Sequence, residues 1–310
     1  MPQDHSIPAR RRFIGVAAAT LAAGSLSRLA FASIADAAPA ASGTPEAIRP
    51  LRIHVAEARL TELRRRVRDT QWPERETVDD ASQGVQLATM QALARRWAGG
   101  YDWRRMEARL NALPQFVTGI DGLDIHFIHV RSKHRGALPM IVTHGWPGSI
   151  IEQLKIIGPL TDPTAHGGSA DDAFDLVIPS LPGYGFSGKP SATGWDPVRI
   201  ARVFQGAQEG LTQDDILDNI TLYWLTRTGV SSARLYWENK LNFFEPKHVA
   251  IPVAVSVFPD EIYAAPRSWA EQAYPKLIHY QRMPKGGHFA AWEQPLALAG
   301  ELRTSFRSLR

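Results

Sequence analysis

From residue 116 onward the sequence alternates between short apolar runs and longer amphipathic stretches, and this alternation limits the possible folds more than any other feature. Four runs have the length and composition of buried strands, at residues 140–143, 175–180, 253–258 and 277–282. Before them, residues 116–120 and 123–130 alternate apolar and polar side chains on either side of Asp121-Gly122, a dipeptide typical of tight hairpins. Strands that alternate with helices in series predict an α/β, doubly wound fold.

The segment before this hairpin has the period of helices. Apolar residues recur every three or four positions in three stretches, at 56–67, 87–97 and 103–113. The stretches end at helix-breaking signals, which are Trp72-Pro73, Gly99-Gly100 and Pro114. We therefore predict an N-terminal region over residues 51–135, in which these helices precede the hairpin, and an α/β core over residues 136–310.

Residues 1–37 have the three parts of an export signal. The sequence Arg-Arg-Arg-Phe-Ile at 10–14 matches the twin-arginine pattern, and the mild apolar stretch at 15–23 is too short to span a membrane. Small residues then fit a cleavage near Ala37, and residues 38–50 have the composition of a linker. The sequence predicts a bacterial protein that the twin-arginine export machinery delivers, already folded, to the periplasm or the medium. An uncleaved alanine-rich tail is the alternative.

Composition narrows the class of protein further. The chain has 310 residues, of which 44% are hydrophobic and 21% charged, as in globular proteins with a substantial core. The formal charge is +4, but the densest basic cluster outside the signal, at residues 64–68, falls on a predicted helix. We interpret it as a solvated face and predict no nucleic-acid partner. The absence of cysteine excludes disulfides and cysteine metal sites, and it suits an oxidising compartment.

Three of the predicted strands run into loops that carry candidate functional groups. His-Gly-Trp-Pro-Gly-Ser at 144–149 follows the first buried strand, and its backbone amides are placed to hold an oxyanion. Gly-Gly-His-Phe at 286–289 follows the last strand and presents a histidine on a glycine-rich loop. The loop at 180–187 is also rich in glycine, but it lacks the lysine and the spacing of a phosphate-binding loop.

Together these motifs resemble the microsomal-type epoxide hydrolases, a family that includes the juvenile-hormone epoxide hydrolases. The resemblance rests on the helical N-terminal region, the motifs at 144–149 and 181–187, the segment 219–239 and Gly-Gly-His-Phe-Ala-Ala-Trp-Glu at 286–293. It runs from about residue 48 to residue 302, with one large gap. It implies an α/β-hydrolase fold preceded by an epoxide hydrolase N-terminal region.

The resemblance also implies a reaction. In this family an aspartate attacks an epoxide carbon and forms an alkyl-enzyme ester. Two tyrosine hydroxyls from a lid protonate the leaving alkoxide. A histidine oriented by an acid then activates water, and backbone amides stabilise the tetrahedral oxyanion, so that a vicinal diol leaves. The expected substrate is a small apolar epoxide, with no organic cofactor and no metal.

The family's site residues are carried over only where the motifs match. His288 corresponds to the water-activating histidine, and Glu261 to the acid that orients it, with the adjacent Asp260 as an open alternative. Tyr236 corresponds to the second lid tyrosine. Trp146 corresponds to the oxyanion residue through its backbone amide, and His144 lies in the same loop.

The nucleophile of the family is not found. Between residues 195 and 261 no Gly-x-nucleophile-x-Gly elbow occurs, and residues 204–210 lead directly into 211–216, which resemble the back half of the lid. We predict an internal deletion near 203–211 that removes the central nucleophile strand, one oxyanion amide and the front half of the lid, and leaves a lid remnant at 211–240. The nearby aspartates are not expected to substitute, since helix starts and caps explain them better; they are Asp196, Asp214, Asp215 and Asp218.

Three hypotheses follow from the sequence. The chain is an epoxide hydrolase by family with lost or severely reduced activity, or a non-catalytic small-molecule-binding relative, or a haloalkane dehalogenase-like or esterase α/β-hydrolase. The lid tyrosine and the N-terminal region speak against the third. For the fold, we expect the strands at 140–143 and 253–258 to close the gap by direct parallel pairing, with marginal stability and a tendency to associate. The sequence leaves the oligomeric state open.

Overall fold

The computed structural model of the protein describes residues 47–80, 82–191, 212–239, 249–261 and 263–310. The predicted signal peptide, most of the linker, Asp196 and the predicted deletion point at 203–211 lie outside the described residues.

Three helices lie within residues 57–111, as the apolar period predicts. They are α1 (Glu57–Arg68), α2 (Leu87–Gly99) and α3 (Trp103–Asn111). The side chain of Asp102 caps α3 by accepting a hydrogen bond from the backbone amide of Arg104 at 2.9 Å. Trp103, Met106 and Leu110 on one face of this helix are fully buried against the core.

The first sheet has five strands in the order β1-β2-β3-β5-β4. Their bounds are β1 (Arg49–Pro50), β2 (Gln115–Ile120), β3 (Leu123–Val130), β4 (Leu138–Ile141) and β5 (Phe174–Pro179). The pair β4–β5 is parallel, and the other pairs are antiparallel. The predicted hairpin is confirmed, because β2 and β3 flank Asp121 (φ 52°) and Gly122 (φ 77°), the left-handed conformations that a two-residue turn requires.

Helical segments surround these strands and follow them. They are a 3₁₀ helix (Ile150–Lys155), α4 (Ile157–Thr161), two 3₁₀ turns (Pro163–His166 and Ala170–Asp172), α5 (Gln213–Thr226), α6 (Gly229–Glu238), α7 (Arg267–Ala273), α8 (Ala290–Glu293), α9 (Pro295–Phe306) and a last 3₁₀ turn (Arg307–Leu309). A second sheet contains two parallel strands, β6 (Val253–Val257) and β7 (Leu277–Arg282). Of the described helices, none is long and apolar enough to cross a membrane.

The expected direct pairing of β4 with β6 is wrong. Among the described residues, β4 pairs only with β5, and β6 pairs only with β7, so the two strands belong to separate sheets. The C-terminal helices hold the two sheets in place: α8 packs against the 3₁₀ helix Ile150–Lys155, and α9 contacts both α4 and β6.

Candidate active site

His288 and Glu261 form a hydrogen-bonded pair at the carboxyl ends of the second sheet. Nδ1 of His288 lies 3.0 Å from Oε1 of Glu261, and both side chains are partly exposed. Asp260, which the sequence left as an alternative, is exposed and forms a parallel backbone bridge with Gly287. The bridge sets the loops after β6 and β7 side by side, which brings the acid and the histidine together. Of the two acids, Glu261 is the one that hydrogen-bonds to His288.

A buried carboxylate that sequence reasoning missed fixes the loop that carries His288. Oε2 of Glu293 accepts a hydrogen bond from the backbone amide of Gly287 at 2.7 Å, and its Oε1 accepts one from the amide of Phe289 at 3.0 Å. Glu293 therefore holds the residues on both sides of His288. The signal was present in the sequence, since Glu293 closes the motif at 286–293 and lies in the short helix α8.

His144 holds the loop at 144–149 in place from its buried side. This histidine is fully buried, and its Nε2 accepts a hydrogen bond from the backbone amide of Leu181 at 3.3 Å, which leaves Nδ1 to donate to the carbonyl of Gly145 at 3.3 Å. Its ring also packs edge-on against Tyr184 at 5.1 Å. Burial lowers the pKa of His144 to about 4, so the imidazole is neutral. His144 thus connects the two loops that follow β4 and β5.

Helix α5, which lies in the predicted lid remnant, bonds to the same loop. Asn219 and Tyr223 are four residues apart on α5 and therefore share one face of the helix. Nδ2 of Asn219 donates to the carbonyl of Pro147 at 2.9 Å, and the hydroxyl of Tyr223 donates to the carbonyl of Gly148 at 2.8 Å. Sequence reasoning missed this clamp, because the spacing gains meaning only once α5 is known to cross the loop.

Trp146 and Tyr236 lie together on the open side of the site. Their ring centroids are 5.4 Å apart with an interplanar angle of 84°, an edge-to-face arrangement. Tyr236 remains 57% exposed, and partial burial raises the pKa of its hydroxyl. The structure therefore brings the predicted lid tyrosine to the predicted oxyanion residue, with both side chains accessible from solvent.

The loops at 144–149 and 286–289 meet at Gly148. A Cβ atom at this position would collide with Oε2 of Glu152 and would lie 2.9 Å from Cε1 of Phe289, so the close approach requires glycine. Phe289 is adjacent to His288, and its ring packs against the ring of His288 at 5.6 Å. The contact of Gly148 with Phe289 thus joins the loop at 144–149, the predicted oxyanion loop, to the loop at 286–289, which carries His288.

Glu152 lies buried behind this contact and carries an unpaired oxygen. Its Oε1 accepts a hydrogen bond from Gln153 at 2.8 Å, whereas Oε2 has no partner in the described structure. Burial raises the pKa of Glu152 well above its usual value, although Gln153 and the backbone of Gly145 oppose the shift. Burial therefore favours the protonated, neutral form of this carboxyl group.

The described aspartates near the lid remnant are engaged elsewhere. Asp214 bonds Arg96 at 2.7 Å, and Asp215 completes a capping box with Thr212. The buried Asp218 accepts hydrogen bonds from Arg105 and from the hydroxyl of Tyr101, each at 2.7 Å. In the part of the chain that the structure describes, no group of three or more His, Asp or Glu side chains is placed to hold a metal ion.

Known proteins match this chain in sequence. The family model described as "Epoxide hydrolase N terminus" matches residues 48–153. The "Putative epoxide hydrolase" of Stigmatella aurantiaca is 40% identical over 376 residues, which cover 85% of this chain and 86% of that protein. "Epoxide hydrolase 1" of Sus scrofa is 26% identical over 85% of this chain and 89% of its own length.

Solved structures match it in fold. The juvenile hormone epoxide hydrolase from the silkworm Bombyx mori superimposes with a TM-score of 0.74 at 22% identity, covering 86% of this chain and 94% of that one. The Aspergillus niger epoxide hydrolase superimposes with a TM-score of 0.73 at 22% identity, over 85% and 97% of the two chains. These likenesses confirm the predicted α/β-hydrolase fold. With the sequence match to the Stigmatella protein, they establish that this chain belongs to the epoxide hydrolase family.

Proposed function

We propose that this chain retains the water-activating and oxyanion-binding parts of an epoxide hydrolase but cannot form the alkyl-enzyme ester that begins the reaction. The observation that carries this proposal is the intact pair of His288 with Glu261 at 3.0 Å, in a chain whose described aspartates near the lid are all engaged elsewhere. The chain is then a family member that binds epoxide-type ligands with little or no turnover.

The chemistry makes the missing residue decisive. Opening the epoxide requires a carboxylate oxygen to attack carbon while the carbon–oxygen bond breaks, and the released alkoxide takes a proton from a tyrosine such as Tyr236. Only afterwards does His288 remove a proton from water, which attacks the ester carbonyl and releases the diol. Without an ester, the pair of His288 and Glu261 has nothing to hydrolyse. Removing one member of a cooperating catalytic set reduces turnover by several orders of magnitude.

The described aspartates near the lid remnant are bonded to other residues, and this supports the view that none of them substitutes for the nucleophile. Asp218 is the most enclosed of them, and burial raises the pKa of its carboxyl while its bonds to Arg105 and Tyr101 act in the opposite direction. Both of its oxygens face α3 and the residues beside it, with Arg105 at 2.7 and 2.9 Å. A nucleophile must instead present a free oxygen to a substrate held between His288 and the oxyanion loop.

The lengths of the alignments support an internal deletion. The match to the Stigmatella protein extends over 376 residues, more than the 310 of this chain, so that protein has internal residues with no counterpart here. Two flea juvenile hormone epoxide hydrolases match over only 166 and 165 residues, about half of this chain. A match that stops halfway is expected where a long gap interrupts the alignment.

Of the alternatives, binding without catalysis is favoured by the exposed pair of Trp146 and Tyr236. These rings offer an apolar surface and a hydroxyl to a small ether oxygen, which is the chemistry of an epoxide. A dehalogenase or esterase reaction would need a nucleophile at the same elbow, so the deletion removes those activities as well.

We also propose that the protein is exported folded through the twin-arginine pathway. The support is the order of the basic, apolar and small-residue parts of residues 1–37 and the absence of cysteine from the whole chain.

An assay with styrene oxide tests the proposed function. We expect diol formation at the buffer rate and no covalent alkyl adduct by mass spectrometry after rapid quenching. The His288→Ala variant should give the same result as the natural chain, because the ester that His288 would hydrolyse never forms. Diol formation that is lost in His288→Ala would overturn the proposal and would indicate a nucleophile elsewhere in the chain.

A further inference from the structure

An open cavity of about 510 Å³ lies between α1 and the carboxyl end of α5, apart from the candidate active site. One face of α1 forms one wall, and the turn between α5 and α6 forms the other. This volume is in the range of sites that hold small organic ligands.

The floor of the cavity is aromatic. Tyr223 and Trp224 line it and are half-buried, and Val230 at the mouth is 71% exposed. The hydroxyl of Tyr223 donates to Gly148 in the oxyanion loop, so this residue separates the cavity from the candidate active site. The walls therefore suit a flat apolar body that stays outside the epoxide site.

The rim of the cavity is cationic. It includes Arg59, Arg66 and Arg227 but only one acid, Glu62. Glu62 is already engaged by Arg65, which donates to its two oxygens at 2.8 and 2.9 Å. The cavity thus holds more positive charge than its own carboxylate balances.

Two neighbouring cations bond to the end of α5. Arg59 donates to the carbonyl of Leu225 at 2.7 Å, and Lys189 donates to the carbonyl of Thr226 at 2.8 Å. Cations at a helix C-terminus stabilise the terminal carbonyls and the helix dipole, and this accounts for both residues. Burial lowers the pKa of Lys189, and nearby Arg227 lowers it further, as expected where cations crowd together.

Arg66 and Arg227 have no such role. Among the described residues, no salt bridge and no bond to a carbonyl involves either guanidinium, and Glu62, which interacts electrostatically with Arg66, is itself bonded to Arg65. Arg227 also adopts φ 55°, a left-handed conformation at the C-cap of α5 where glycine is favoured over a long side chain. Helix capping explains Arg59 and Lys189, but it leaves these two arginines at the mouth of an aromatic cavity.

We propose that this cavity binds an amphipathic organic anion. Its aromatic body packs on Tyr223 and Trp224, and its carboxylate, sulfonate or phosphate group lies between the guanidinium groups of Arg66 and Arg227. Planar guanidinium groups bind such oxyanions through paired, charge-assisted hydrogen bonds. The site is separate from the epoxide chemistry and does not depend on it.

Calorimetric titration of the full-length protein with 2-naphthoate tests the proposal, with neutral 2-naphthamide and inorganic phosphate as matched probes. We expect 2-naphthoate to bind at least about tenfold more tightly than either probe, since one lacks the charge and the other the apolar body. Quenching of tryptophan fluorescence should accompany binding, and raising the salt concentration should weaken it.

Three variants locate the site. Arg227→Gly removes the cation and relieves the left-handed conformation, so it should weaken 2-naphthoate binding at least about tenfold without lowering the melting temperature. Arg66→Gln should weaken binding in the same way. Arg64→Gln removes an equal charge from α1, but Arg64 is paired with Glu57 and does not line the cavity, so binding should be unchanged.

Several outcomes would overturn the proposal. They are the absence of 2-naphthoate binding at millimolar concentration, equal binding of 2-naphthoate and 2-naphthamide, and equal binding of inorganic phosphate. Binding that survives both Arg227→Gly and Arg66→Gln would also overturn it. An inactive or active result with styrene oxide has no bearing on any of these outcomes, so the proposed function and the anion site fail independently.

Discussion

Glu261, and not the neighbouring Asp260, places its carboxylate 3.0 Å from Nδ1 of His288. Asp260 forms the backbone bridge to Gly287 and leaves its own side chain in solvent. One residue therefore aligns the two loops, and the next orients the imidazole. The different roles of Asp260 and Glu261 can be measured only in a chain that converts an epoxide to a diol.

We therefore predict the outcome of a repair. A repaired chain carries, at the deletion that we propose near 203–211, the internal residues by which the Stigmatella relative exceeds its match to this chain, and we expect it to convert styrene oxide to the diol. Glu261→Gln in the repaired chain should lower turnover by roughly 10²- to 10⁴-fold, because the imidazole loses the carboxylate that stabilises its protonated form. Asp260→Asn, the matched control, should stay within about threefold, since its side chain contacts no reacting group. Equal losses in the two variants would contradict the assignment.

The buried histidines predict a loss of stability in mild acid. Burial lowers the pKa of His126 to about 3 and that of His144 to about 4, so both are neutral in the folded state. Between pH 6.5 and these values the unfolded chain binds protons that the folded chain does not. Stability is therefore complete above pH 6.5 and falls as the pH decreases, by about 1.4 kcal/mol per pH unit for each histidine.

Urea unfolding at pH 7.5 and pH 5.0 measures this dependence. His126→Gln should be less stable at pH 7.5, since His126 bonds Gln115 and Ser180, but it should lose less stability between the two pH values than the natural chain. His54→Gln, at an exposed position, should leave the pH dependence unchanged. An identical pH dependence in His126→Gln would show that this histidine is not buried in its neutral form.

Glu152 predicts a pH dependence of stability with the opposite sign. Burial raises the pKa of its carboxyl, so above pH 4.5 the unfolded chain releases a proton that the folded chain keeps, and stability falls as the pH rises toward the folded pKa. Glu152→Gln keeps the neutral shape and removes this penalty. We expect the variant to be more stable than the natural chain at pH 8, with a smaller gain at pH 5. Glu74→Gln, at an exposed position, is the control, and a stability gain independent of pH would argue against a protonated Glu152.

Much of the fold was predictable from local pattern. The period of apolar residues located α1, α2, α3 and the strands, and Asp121-Gly122 located the hairpin, because these signals involve residues close in sequence. The relation between β4 and β6 was not predictable in this way. It involves residues far apart in the chain, as do the contacts of α9 with both α4 and β6, and no local pattern relates such residues.

The residues of the candidate site also separate into those that local sequence identified and those that it did not. The motif at 286–289 and the acid at Glu261 were identified by resemblance, and the structure brings them together. The supports of the site were missed, namely Glu293 beneath His288 and the clamp of Asn219 on Pro147. Each support joins a side chain to a backbone group of a loop, and neither the residue type nor its period reveals the partner before the loops are placed.

The proposed twin-arginine signal predicts that export depends on Arg10 and Arg11. Replacing Arg10 and Arg11 with lysine should trap the precursor in the cytoplasm, because the twin-arginine machinery reads this pair. Fractionation of bacterial cells and immunoblotting would measure the effect, with Arg28→Lys as a conservative control outside the motif. Unchanged export of the double variant would contradict the twin-arginine assignment, and export of a chain that is still unfolded would contradict folded translocation.

The free edge of β4 predicts self-association. Within the described residues β4 has a strand on one side only, and Ile141 on this edge is 68% exposed. Unpaired backbone groups beside exposed apolar side chains provide a template for pairing with another chain. We expect light scattering of the purified protein to show concentration-dependent oligomers.

Ile141→Lys tests the role of this edge, since a charge on an edge strand opposes pairing between sheets. We expect the variant to shift the protein toward the monomer and to leave the melting temperature within a few degrees, because the side chain packs little in the folded chain. Ile120→Lys is the matched control: Ile120 is 52% exposed, but it is the last residue of β2 and pairs with Leu123 of β3 beside the hairpin turn. A monomeric natural chain at high concentration would disprove the association, and equal effects of the two variants would show that apolar exposure, and not the free edge of β4, drives it.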